Sequence, residues 1–289
     1  MRIRTPRRNP RPFRPRPAWL ALAAAASALA LPIALAPAAG ASSVNYVALG
    51  DSYSAGVGAG SYTSSSGSCD RSTNAYSALW ADANDPASYV SVACSGATTA
   101  TVISTQLSAL SSSTTLVSIT IGGNDIGFSS VMETCVLLGA ECISAVDKAE
   151  SLAETQLPGE LNTLLADIKA DAPNARVVVL DYPELYDLSR SSGCVGLSTA
   201  NRTALNQGAQ ILDSEIQAAA GRYGDVFADA ASRFAGHEIC DSSSWLHSVD
   251  LLDLTDSYHP TAAGQADGYY PGFSAAAGCR GPESPAPGR

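Results

Sequence analysis

Five short apolar runs, separated by stretches with helical spacing, constrain this chain more than any other feature. The β-type runs are residues 44–49, 89–93, 116–121, 176–180 and 225–228. Between them, helical spacing marks residues 75–83, 101–110, 143–170 (interrupted at Pro158-Gly159) and 199–221. Strands alternating with helices predict βαβ units, a mostly parallel sheet and helices on both faces, hence an α/β fold. An open sheet of this kind puts its working crevice beyond the carboxyl ends of its strands. The first run ends in Gly50-Asp51-Ser52, the second in Cys94-Ser95-Gly96 and the third in Gly122-Gly123-Asn124-Asp125. Glycines and short polar residues thus recur at three successive strand ends, where a backbone would have to approach a ligand closely.

The first 41 residues stand apart. They hold seven arginines and no acids, then an apolar run over residues 19–35, then "APAAGA". A basic start, an apolar middle and a small-residue exit are the marks of a secretory signal peptide, so residues 1–41 are expected to be removed on export. The apolar run is too short and alanine-rich to favour an anchor, and Arg7-Arg8 followed by "NPRPF" fits a twin-arginine signal poorly. Residues 42–289 then form a single domain with a short Gly/Pro-rich tail, "GPESPAPGR". The whole chain carries −10, and without the +7 of the leader the remainder carries −17. That charge argues against nucleic acid and against electrostatic docking on anionic lipid. A secreted, extracellular monomer acting on a small or lipid substrate, in transient contact with lipid aggregates, is the expectation.

Seven cysteines and no CxxC pair point, in an exported chain, to disulfides rather than metal ligands. Closing the shortest loops would pair Cys69 with Cys94, Cys135 with Cys142 and Cys194 with Cys240. That is one of about 15 pairings open to six cysteines, and Cys279 is left over.

A serine hydroxyl needs a base to become a nucleophile, and the chain has three histidines. His259, in "DSYHPTAAGQ", has Asp256 three residues before it and Pro260 after it. Proline favours the first turn of a helix, which would set His259 on a loop-to-helix junction with its ring projecting. A carboxylate three residues back can reach Nδ1 and leave Nε2 for Ser52, giving the order Ser52, Asp256, His259. His237 and His247 have weaker settings. The Ser52 N–H, the Gly96 N–H and the Asn124 amide are the candidate donors to a developing oxyanion. No cofactor or metal is required, and the pH profile should rise through an ordinary imidazole pKa.

"GDSYSAG", the Gly96 of "ACSGATT", "GGND" and "DSYHP" together resemble the four blocks of the SGNH (GDSL-type) hydrolase family. The likeness is greatest to its secreted bacterial lipases and esterases with three disulfides. The resemblance implies a flavodoxin-like three-layer α/β/α sandwich with a five-stranded parallel sheet. It also implies Ser52 as nucleophile, His259 as base and Gly96 and Asn124 as oxyanion donors. Leucine often follows the serine in the family, whereas Tyr53 follows it here. In some relatives a main-chain carbonyl, here that of Ser257, orients the imidazole in place of an acid such as Asp256. The implied activity is hydrolysis of carboxylic esters of lipids: acylglycerols, simple acyl esters, or phospholipids in the manner of a phospholipase A1 or B. A polysaccharide acetyl esterase of the same family is the alternative. A more distant one is a metal-dependent phosphoesterase using Asp51, Asn124, Asp125, Asp256 and His259; a chelator would separate it from a serine enzyme. Asp51 and Asp125 read as structural, tying down their turns. Trp245, Tyr269 and Tyr270 could line an acyl groove or simply pack.

Overall fold

The computed structural model describes residues 44–190, 196–250 and 255–278, all within one compact unit, Ala41–Arg289. In chain order the strands are β1 (Asn45–Gly50), β2 (Ser88–Ser91), β3 (Leu116–Thr120), β4 (Arg176–Leu180) and β5 (Val226–Ala228). The helices are α1 (Ser52–Ala55), α2 (Tyr76–Asn84), α3 (Thr99–Thr105), α4 (Phe128–Leu137), α5 (Cys142–Thr155), α6 (Leu157–Asp171), α7 (Thr199–Tyr223) and α8 (Tyr270–Ala277). All strand pairs are parallel, in the order β2-β1-β3-β4-β5. This is the doubly wound, flavodoxin-like order.

The strand sequences explain the order. β3 (LVSIT) is buried along its whole length and β4 (RVVVL) at all but its first residue, as a central strand covered on both faces must be. β2 (SYVS) alternates between exposed and half-buried positions, the pattern of an edge. Two groups of helices cover the sheet: α2 packs with α8, and α5, α6 and α7 pack with one another, with α3 against α6. Right-handed crossovers put these groups on opposite faces. Under α2 and α8 lies an aromatic core in which the Tyr46 ring meets Trp80 edge-on at 5.3 Å and stacks on Phe273 at 5.4 Å. Tyr269 is fully buried there and donates to the Asp181 carbonyl. Trp245 stacks on His237 and meets Phe234 edge-on. Both rings therefore pack.

Several elements depart from the sequence reading. The long helical stretch breaks at Gln156, and Pro158 sits in the first turn of α6, where its missing N–H costs nothing. Pro260 forms a bridge with Leu246, and helical backbone begins only at Ala262, so His259 precedes a bridge rather than a helix start. Helices α4 and α8 lie outside the stretches the sequence marks as helical; both are short and begin without a side-chain cap.

Cys69–Cys94 and Cys135–Cys142 are disulfides, the first two bridges of the sequential pairing. Cys194, on which the third expected pair depends, and Cys279 lie outside the described residues.

Candidate active site

β1 runs straight into α1, and the turn between them is heavily determined. Gly50 has φ +119°, and a Cβ there would run into the Thr120 carbonyl oxygen, so only glycine fits. The Gln106 side chain grips its peptide twice, accepting from Gly50 N at 2.8 Å and donating to Gly50 O at 2.9 Å. Asp51 caps α1: its Oδ1 accepts from Tyr53 N at 3.0 Å and from the Thr120 hydroxyl at 2.7 Å, and its Oδ2 from the Tyr182 hydroxyl. Burial pushes the Asp51 carboxyl up to about 6, against the pull of these donors. Asp51 is thus a buried strut, and Ser52 becomes the first residue of a helix, whose N–H has no intrahelical acceptor.

His259 meets this turn from the other end of the chain. Its Nε2 lies 2.8 Å from Ser52 Oγ. The loop that carries it is held by bonds from distant segments. Tyr53 donates from its hydroxyl to the Tyr258 carbonyl at 2.7 Å, while His247 N donates to the His259 carbonyl and Thr261 N to the Trp245 carbonyl. The residue after the serine is thereby bonded to the residue before the histidine. Tyr258 holds a left-handed φ of +66°, a strained setting for a bulky residue.

Asp256 does not reach the ring. Its Oδ1 accepts from the Tyr62 hydroxyl at 2.8 Å, and that hydroxyl in turn accepts from Gly58 N at 2.9 Å. Nδ1 of His259 is buried and, among the described residues, meets no side-chain acceptor. Burial drives the His259 pKa down to about 4, opposed by hydrogen bonding to the Thr255 main chain, by the Asp256 charge and by hydrogen bonding to the Ser257 main chain. The main chain rather than the Asp256 carboxylate therefore contacts the ring. The ordinary imidazole value expected from sequence is therefore displaced by desolvation.

Gly96 and Asn124 line the same cleft as Ser52 and His259. Gly96 has φ +76° and open space where a Cβ would stand. The Asn124 amide donates one bond, to Ala97 O at 3.0 Å, which leaves its second N–H for a ligand. Asp125 accepts from Thr99 N and Thr99 Oγ1, bracing the start of α3. Of the carboxylates considered for a metal, Asp51, Asp125 and Asp256 are each bonded elsewhere. Among the described residues, no three His, Cys, Asp or Glu side chains are grouped to hold an ion. His247 Nε2 bonds the Gly58 carbonyl at 2.8 Å and His237 bonds the Ser243 carbonyl, both away from the serine.

A second, apolar pocket opens at the same serine. Ser52 and Asn124 form its polar end, and Ile126, Val131, Val146, Leu205 and Leu212 line its walls. Gln106, Thr120, Tyr182 and Tyr62 support the site but carried no sequence signal, because their partners are distant in the chain.

A doubly wound α/β sheet with a serine–imidazole contact at its carboxyl edge belongs to the hydrolase class. More particularly, the chain belongs to the GDSL-like lipase/acylhydrolase family, whose pattern it matches over residues 48–266. It is 50% identical over 238 residues to lipase 1 of Streptomyces coelicolor, covering 82% of this chain and 88% of that one. Among solved structures it is similar to phospholipase A1 of Streptomyces albidoflavus NA297, with 52% identity, TM-score 0.79, and coverage of 81% of this chain and 99% of that one. An extracellular lipase of Streptomyces rimosus matches at 48% identity and TM-score 0.79, with the same coverage. The chain is a carboxylic ester hydrolase of the lipase/esterase type.

Proposed function

We infer that the enzyme cleaves lipid esters through an acyl-enzyme on Ser52, with His259 as the base. The observation that carries this reading is the 2.8 Å contact between Ser52 Oγ and His259 Nε2 in a cleft shared with Gly96 and Asn124. Ser52 Oγ attacks the ester carbonyl as His259 takes its proton. The Ser52 and Gly96 N–H groups and the Asn124 amide receive the oxyanion, each donor worth roughly 3–4 kcal/mol in a dry site. His259 then protonates the departing alcohol, and water releases the acid by the reverse sequence.

The small apolar pocket walled by α4, α5 and α7 receives the first carbons of the acyl chain, and the larger cleft that also opens at Ser52 receives the rest of the ester. Long acyl esters, including those of glycerophospholipids, are the substrates that use both. A similar protein named phospholipase A1 supports the phospholipid reading. The arginine-rich leader, the disulfides and an extracellular relative support export of residues 42–289 as a single domain, and the protein acts as a monomer. Among the described residues, no helix is long and apolar enough to cross a membrane.

One panel tests this: p-nitrophenyl esters of increasing chain length, a triacylglycerol, phosphatidylcholine and acetylated xylan. Rates that rise with chain length and release of fatty acid from the sn-1 position of phosphatidylcholine are expected. Ser52→Ala should lower kcat on every substrate by about 10⁴-fold with the fold intact. Preference for acetylated xylan over all acyl lipids would overturn the substrate assignment.

A further inference from the structure

Among the described residues, six large apolar side chains stand exposed, and three of them fall within seven positions of one another: Leu137 (62% exposed), Leu138 (59%) and Ile143 (44%). They occupy the corner where α4 turns into α5. That corner is braced three ways. The Cys135–Cys142 bridge, both cysteines buried, closes it at the base. The Asn201 amide donates to the Gly139 carbonyl at 2.9 Å across the turn. Leu138 N and Glu141 N bond the Thr134 and Leu138 carbonyls. None of the three side chains is buried in the fold, and the corner is held firmly in a form that displays them.

The corner is continuous with the cleft. Leu137 lines the open cleft that contains Ser52 and His259, together with Val136, Met132 and Phe128. Charge near it is mostly negative: between residues 128 and 150 stand Glu133, Glu141, Asp147 and Glu150, with Lys148 the sole cation. Three side chains fall far short of the roughly 800 Å² per partner that a stable dimer needs. Single insertions of exposed leucine and isoleucine into an apolar phase are instead favourable and additive.

Resting on the lipid-esterase reading above, we propose that the Leu137–Leu138–Ile143 corner is a preformed wedge that seats the enzyme on the surface of an uncharged or zwitterionic lipid aggregate. The mouth of the cleft then opens onto the layer from which an acyl chain must be drawn. Contact is made through apolar insertion, so it is insensitive to salt, and anionic lipid adds nothing.

The test uses phosphatidylcholine vesicles and two proteins in the Ser52→Ala background, one with the corner intact and one with Leu138→Ser and Ile143→Ser. Neither substituted residue lines the cleft or the acyl pocket. The double variant should partition onto vesicles about tenfold or more weakly than the intact corner, with binding of the latter unchanged between low and high salt. In enzymes with Ser52 present, the double variant should hydrolyse dissolved p-nitrophenyl butyrate at the parental rate and vesicle phosphatidylcholine about tenfold more slowly. Equal partitioning of the two proteins would overturn the proposal. So would a parent that dimerises through this corner, seen as a dimer in sedimentation that the double variant loses. Partitioning is read without turnover, so absence of ester hydrolysis by the parent would count against the catalytic reading while leaving this measurement to decide the surface.

Discussion

The two halves of the serine–histidine contact differ in how much of their geometry is local. Ser52 sits on a turn shaped by its own residues, with strand β1 behind it, Asp51 capping the helix in front and Gly50 at a φ only glycine takes. Gln106 and Thr120, from distant segments, lock that turn in place. His259 sits on a loop with little local structure, fixed by Tyr53, His247 and Trp245 from elsewhere in the chain. One half has a local turn chemistry that distant bonds reinforce; the other depends almost wholly on long-range bonds. The base, with less local structure to hold it, is therefore where supporting substitutions should act most.

The largest expected effect comes from removing the base itself. His259→Ala should lower kcat by about 10⁴-fold with the fold retained. In the parent, protonation of Nε2 removes the acceptor for the serine proton, so activity is lost as pH falls through the displaced pKa. With that pKa near 4, kcat/KM should be level from about pH 5.5 upward and fall below it. A limb centred near 6.5 would show that the ring is better solvated than its burial indicates.

A smaller effect is expected at the strut between the halves. Tyr53→Phe leaves the Tyr258 carbonyl buried without its donor, a loss of about 1–3 kcal/mol. Because that bond sets the histidine loop against the serine turn, kcat should drop about tenfold with KM little changed. Steady-state kinetics beside a thermal melt separates this from simple destabilisation. An unchanged kcat with a lowered Tm would make Tyr53 a packing residue only.

The smallest effect is expected at Asp256. An acid that oriented the imidazole would cost about 10⁴-fold on removal. Here its carboxylate bonds Tyr62, so Asp256→Ala should fall within about fivefold of the parent in kcat/KM. A loss of a thousandfold would mean that the loop rearranges in the substrate complex to bring Asp256 onto Nδ1.

The same contrast governs what could be read before any coordinates. The strands themselves, the Ser52 turn and the placement of Gly96 and Asn124 at strand ends follow from local pattern, because apolar period and turn chemistry act over a few residues. The flavodoxin-like order is implied only by the family resemblance. The surroundings of His259 do not. Asp256 is three residues away in the chain and in reach of Nδ1 by spacing alone, yet Tyr62, 194 residues before it, takes its carboxylate. The pKa of the ring is likewise a property of burial, which is settled by distant segments such as Tyr53, whose ring lies 5.3 Å from the imidazole, and leaves no trace in "DSYHP". Helix α4 goes unread for another reason: it is only ten residues long and starts after Gly127 with no side-chain cap, so no start signal marks it.

The most direct test of the serine–histidine account is to treat the enzyme with an organophosphorus fluoride and map the adduct by mass spectrometry, in the parent and in His259→Ala. The account predicts a single adduct, on Ser52, formed rapidly in the parent and at least a hundredfold more slowly in the variant. An adduct on another residue, or equal rates in the two proteins, would contradict it.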